Sequence, residues 1–177
     1  MHKYIITGGP GSGKTNVLEA LKEMNYHCSD EVSRRLIIRE VEKRSNCLPW
    51  NNLNCFAEKV LEKMVSAYEA TPADQLTFYD RGVPDIIAYL KVAGLPVADN
   101  YYKTLQENPY HKTVFILPPW QEIYITDSER WQTYQEAEEL YWGIADTYKS
   151  LGFDLIEIPK FAVKHRANYI INYINNQ

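Results

Sequence analysis

The run GGPGSGKT, Gly8 to Thr15, decides how the rest of the chain is read. Its spacing, G-x-x-x-x-G-K-[ST], asks for a strand before it and a helix after it. Both are predicted. Residues 3–7 (KYIIT) form a short apolar run of the kind buried in a parallel sheet, and residues 16–24 place Val17, Leu18 and Leu21 on one helical face. Gly8, Gly9, Gly11 and Gly13, with Pro10 and Ser12 between them, let successive backbone N–H groups turn inward on a polyphosphate. The helix opening after Gly13 adds the positive end of its dipole. In that geometry Lys14 reaches the outer phosphates and the Thr15 hydroxyl takes Mg2+. The expected ligand is a nucleoside triphosphate, with ATP and Mg2+ the expected pair and GTP left open.

Working outward, strands alternate with helices. Strands are expected at residues 26–29, 76–79, 113–117 and 155–158, the run TVFIL at 113–117 being the most strand-like. Helices are expected at 32–44, 56–70, about 84–94, 100–106, 134–151 and 163–174. Pro84 in a first turn, Asp85 favouring the dipole and Gly94 at the far end frame one of them. Pro49 keeps residues 45–52 in a loop. Such alternation implies an α/β fold, a parallel sheet covered by helices on both faces. Without repeats or linkers, 1–177 reads as a single domain, with a lid segment at about 118–131.

The 177 residues suffice for one full core. A net charge of −4 gives no global attraction to nucleic acid or anionic membrane, and no apolar run approaches a membrane span. Cys28, Cys47 and Cys55 are odd in number and lack metal-ligand spacing, so reduced thiols and a cytoplasmic location are expected. A monomer or homodimer is expected.

Phosphoryl transfer needs fixed positive charge around the migrating group and a held acceptor. Arg34 and Arg35 follow the second strand, Arg81 follows the third, and Arg130 falls in the lid segment. The carboxyl ends of parallel strands face one ligand crevice. Arg81 and Arg130 are therefore read as functional, Arg34 as a substrate candidate, and Arg35 as the neighbour that points away. Among the acids, Asp30 and Glu31 leave the second strand and Asp80 leaves the third. Each is a candidate to accept a proton from, or hold, a hydroxyl acceptor. Asp80 is also placed to organise Mg2+, because Pro84 and Asp85 move helix capping downstream of it. Trp50 is read first as a buried tryptophan and second as a stacking platform.

These pieces together (GGPGSGKT, Glu31-Val32-Ser33-Arg34, Phe78-Tyr79-Asp80-Arg81-Gly82 and Asp127-Ser128-Glu129-Arg130) resemble the NadR-like AAA/ATPase domain family of P-loop proteins. That family includes stand-alone ATPases and ribosylnicotinamide kinase domains. The resemblance implies a five-stranded parallel sheet in the order 2-3-1-4-5, a lid before the long helix, and Pro159 and Lys160 near the adenine. The chain departs from the pattern at Ser128, where a glycine is usual, and in residues 45–56, which match no acceptor motif. No N-K-x-D guanine motif and no transporter signature is present. The expected function is thus an ATP- and Mg2+-dependent kinase acting on a small nucleoside-like or nucleotide-like acceptor. A nucleotide-binding regulatory ATPase without an acceptor is the alternative, and the acidic balance disfavours a nucleic-acid-dependent ATPase.

Overall fold

The computed structural model describes residues 2–124 and 133–176. Five strands, β1 (Lys3–Gly8), β2 (His27–Cys28), β3 (Thr77–Asp80), β4 (Thr113–Leu117) and β5 (Asp154–Glu157), form one sheet in the order β2-β3-β1-β4-β5. Every pairing is parallel. This is the predicted sheet. β1, β3 and β4 are buried along their whole length, which explains why they read as continuous apolar runs rather than alternations.

Among the described residues seven α-helices cover the two faces: α1 (Lys14–Glu23), α2 (Val32–Glu42), α3 (Leu53–Glu69), α4 (Val83–Val92), α5 (Asp99–Glu107), α6 (Tyr134–Ser150) and α7 (Val163–Asn175). Alternate residues of β1 serve opposite cores. Tyr4 and Ile6 pack with Val17 and Leu21 of α1 and Ile170 of α7. Ile5 packs on the other face with Ile144 and Tyr148 of α6. A third cluster joins α2, α3 and α4 through Leu36, Phe56, Val60 and Ile87. Each fully buried aliphatic side chain contributes about 1.5–3 kcal/mol, so the β1 sandwich is the stable floor on which the site stands.

The helix starts follow local chemistry. α6 begins in a reciprocal cap, with Thr133 and Glu136 each bonding the other's backbone N–H. α4 begins at Gly82, whose N–H donates to the Asp85 carboxylate at 2.9 Å. α1 begins at Lys14, two residues earlier than the apolar stripe alone suggests, which puts Lys14 and Thr15 in its first turn.

Cys47 and Cys55 form a disulfide, which corrects the expectation of three reduced thiols; only Cys28 is free. The reason lies in the loop. Asn51 and Asn52 both donate backbone bonds to the Leu48 carbonyl, at 3.0 and 2.8 Å, turning the chain back so that the two Cα atoms stand 5.3 Å apart. Spacing along the sequence does not disclose that turn. Among the described residues no helix is long and apolar enough to cross a membrane.

Candidate active site

The turn after β1 is built for an anion. Gly13 caps α1 in a left-handed conformation (φ 84°) with no side-chain cap, leaving the first-turn N–H groups of α1 for a ligand. A Cβ there would lie 3.0 Å from the Arg166 guanidinium, so the residue is held to glycine by both backbone and space. Ser12 Oγ donates to the Gly9 carbonyl at 2.9 Å and closes the turn. Lys14 Nζ lies 3.5 Å from the same carbonyl, and the residue is only 8% exposed. Burial, followed by the nearby Arg81 charge, lowers the Lys14 pKa to about 8, against the pull of Asp80, Glu31 and Asp85. The ammonium is thus short of countercharge, which a polyphosphate supplies.

β3 delivers two charged residues beside this turn. Ile6 pairs with Asp80 in register, and the Arg81 N–H donates to the Ile6 carbonyl at 3.0 Å, so Asp80 and Arg81 lie where β1 runs into the cradle. Asp80 is 4% exposed, and its Oδ1 has no hydrogen-bond partner among the described residues. Burial raises its pKa, with Lys14 and Arg81 pulling the other way. Arg81 takes a left-handed φ of 69°. It bonds Asp85 Oδ1 at 3.0 Å and lies 5.4 Å from the Tyr89 ring centroid. Burial opposes its charge, but Tyr89, Asp85, Asp80 and Glu31 together raise its pKa.

Asp85 does more than favour a helix dipole. Its Oδ1 accepts from Arg81 and from the Thr7 hydroxyl, and its Oδ2 accepts from the Gly82 N–H and, at 2.6 Å, from the Tyr148 hydroxyl. One buried carboxylate therefore ties together β1, the turn after β3, α4 and α6. Sequence reasoning missed this junction, for which the only signal was an acid in the first turn of α4.

A cavity of about 910 Å³ opens over the cradle and is lined by Pro10 to Thr15. Gly8 and Gly9 do not line it; Gly8 ends β1, and Gly9 supplies the carbonyl that braces the turn. On one side stand Trp120, Ile123, Phe161 and Arg166. On the other, Glu31, Arg34 and Arg81 lead into a space between α2, α3 and α4. Glu31 Oε2 lies 3.8 Å from Arg34 Nε, so both face the opening as expected.

Not every expected residue arrives. Asp30 is held outside by exposed ion pairs to Lys22 (3.0 Å) and Arg35 (2.6 Å), and does not line the cavity. The pairing turns Arg35 away too, as expected. Pro159 and Lys160 also miss the lining, where Phe161, Ala162 and Val163 stand instead. Trp50 is 48% exposed on the cavity rim, which overturns the buried reading. Arg130, Ser128 and half of the expected lid fall outside the described residues.

Arg166 was not foreseen. It is 4% exposed, donates to the Ser12 carbonyl at 3.2 Å and packs 5.4 Å from the Trp120 ring centroid. A signal existed: Val163, Arg166, Ala167 and Ile170 share one helical stripe of α7, and a cation among apolar residues on a buried stripe has to meet something.

A triphosphate cradle at the end of the central strand of a 2-3-1-4-5 parallel sheet defines a P-loop NTPase with the fold of the nucleoside and nucleotide kinases. The sequence profile described as AAA domain matches residues 3–166. The chain belongs to that AAA domain family. No curated protein matches it. Among solved structures, a deoxyadenosine kinase from M. mycoides, with products dCMP and dCDP bound, superposes with a TM-score of 0.70 at 18% identity, covering 99% of this chain and 100% of that one. NadR in complex with NR gives a TM-score of 0.72 at 16% identity, over 98% of this chain and 50% of that one, so this chain spans half of it. Shikimate kinase from Acinetobacter baumannii gives 0.61 at 17% identity, over 99% and 94%. At these identities the likeness establishes the fold, including the expected NadR-like form, and leaves chemistry to the site.

Proposed function

We propose that this protein is an ATP- and Mg2+-dependent kinase that moves the γ-phosphoryl group of ATP to a hydroxyl of a small acceptor of nucleoside-like or nucleotide-like size. The observation that carries the reading is the shape of the cavity. Beside the cradle residues, its lining includes Glu31, Arg81 and faces of α2, α3 and α4, which we read as a second compartment. A regulator that only hydrolyses nucleotide has no use for that compartment.

In this reading the polyphosphate lies along Pro10–Thr15, and the base occupies the side formed by Trp120, Phe161 and Arg166. Lys14 and Arg81 face the migrating group from two directions, joined by Arg130 from the lid. Mg2+, when bound, would offset charge on the β- and γ-phosphates. Thr15 and Asp80 suit it: the buried Asp80 Oδ1 without a partner is an oxygen donor awaiting a cation or a water bound to one. Glu31, rather than Asp30, is the base, because Glu31 lines the cavity and Asp30 is occupied outside it. The acceptor oxygen forms its bond to the γ-phosphorus as the bond to the β,γ-bridging oxygen breaks. Its proton passes to the Glu31 carboxylate, and ADP leaves.

The test is to incubate the protein with labelled ATP, Mg2+ and a mixed panel of nucleosides, nucleotides and simple alcohols. Transfer of label to an acceptor, matched by ADP, is expected. If ADP and inorganic phosphate appear at one slow rate whatever is added, the protein is a hydrolase and the kinase reading fails.

A further inference from the structure

We propose that the acceptor is an amphipathic alcohol: a hydroxyl carried on an apolar, uncharged body, rather than a nucleoside. This rests on the kinase reading for the fate of the hydroxyl and specifies what carries it.

Three helical stripes wall the second compartment. From α2 come Arg34, Ile37, Ile38 and Val41, at the three- and four-residue spacing of one face. From α3 come Leu53, Phe56, Ala57, Val60 and Met64, again one face. From α4 come Asp85, Ile86, Tyr89 and Leu90. Charge sits at the two ends only. Glu31, Arg34, Arg81 and its partner Asp85 mark the inner end beside the cradle, and Glu42 marks the rim. Between them the wall is mainly aliphatic and aromatic, with the Ser33 and Tyr89 hydroxyls and the Trp50 indole its uncharged polar groups. A purine or pyrimidine edge placed against the aliphatic stretch would give up its hydrogen bonds to water and find few replacements, which a site built for a base avoids. At 1.5 Å per residue, the α3 stripe runs about 16 Å, long enough for a medium-length chain or a fused ring.

Exposure supports the same reading. Eight large apolar side chains are exposed among the described residues, and four of them, Ile38, Val41, Trp50 and Phe161, line this one cavity. Apolar residues scattered singly over a surface need no explanation, but a cluster around a cleft marks something to be covered. A cluster continuous with the phosphate cradle, hydrophilic where the γ-phosphoryl group arrives, fits a molecule with one hydroxyl head. The Cys47–Cys55 disulfide closes the loop that carries Pro49 and Trp50, so this rim is pinned in place.

The experiment compares a homologous series of straight-chain primary alcohols with a nucleoside panel (adenosine, deoxyadenosine, thymidine, nicotinamide riboside), using labelled ATP and Mg2+. Transfer to the alcohol is expected, with kcat/KM rising about two- to fourfold per added methylene until the compartment is full. Ile38→Glu, at an exposed position that does not threaten the fold, should flatten that rise. Preference for nucleosides, or no dependence on chain length, overturns the inference while leaving the kinase reading intact. If nothing accepts phosphate, the kinase reading fails. The compartment is then judged by tryptophan fluorescence on alcohol binding: affinity climbing with chain length upholds an apolar ligand, and no response overturns it.

Discussion

Asp85→Asn is the sharpest test of how the site is held. Asparagine keeps the shape but must present an NH2 group on one side. Turned one way, that group faces the Arg81 guanidinium, which can only donate; turned the other way, it faces the Gly82 N–H, which can only donate. Neither orientation satisfies the junction, and both leave the buried Arg81 without a carboxylate. Breaking a buried ion pair by removing one partner costs about 3–5 kcal/mol, so a loss of about 4 kcal/mol is expected. For 177 residues the unfolding entropy near the midpoint is about 0.37 kcal/mol/K, which converts the loss into a fall of about 11 °C in Tm. Thermal unfolding followed by circular dichroism measures it. Tyr148→Phe removes one of the four bonds and leaves the charge pair, so it should fall by only about 3–5 °C. If Asp85→Asn shifts the midpoint by less than about 3 °C, Asp85 is not the junction described.

Asp80→Asn should raise the Mg2+ concentration for half-maximal activity about tenfold at fixed ATP; an unchanged magnesium titration would remove Asp80 from metal organisation. Lys14 has a folded pKa of about 8, below its unfolded value of 10.5, so the unfolded state holds more protons above pH 8 and stability rises with pH. Cys28, raised to about 11, works the other way above pH 9, so the window is pH 8–9. There, urea melts of nucleotide-free protein should gain about 1 kcal/mol, and Lys14→Met should lose that slope. Reducing the Cys47–Cys55 bridge, or Cys55→Ser, releases a loop of sequence separation 8 and should lower stability by about 2.5 kcal/mol in the chain-entropy account. A Tm indifferent to reductant would show that the bridge does not form in solution.

How much of this was legible in the sequence depends on the range of the cause. The cradle is local: glycines that permit the turn, and a lysine and threonine in the first turn of the following helix, are fixed by adjacent residues. The strands were legible because each must be apolar on both faces, and the expected bounds of 113–117 match β4. Asp30 was misplaced because strand-end position brings a residue to the crevice but does not aim its side chain; Lys22, on the neighbouring helix, aims it outward. The disulfide depended on a turn at 48–52 that no periodicity encodes. Arg166 and Tyr148 act more than 60 residues from their partners, and contacts at that distance become visible only once the sheet order is known.

The position of β1 at the centre of the sheet has a consequence for how the protein is made. The strand and its phosphate loop are made before either sheet partner: β3 begins at Thr77, and β4 is complete only at Leu117. The loop is braced last of all, by Arg166 from α7. Until Leu117 is made, the strand that carries the motif therefore lacks at least one of its two sheet partners. The braced loop is therefore complete only once Arg166 has been made, well after the motif itself.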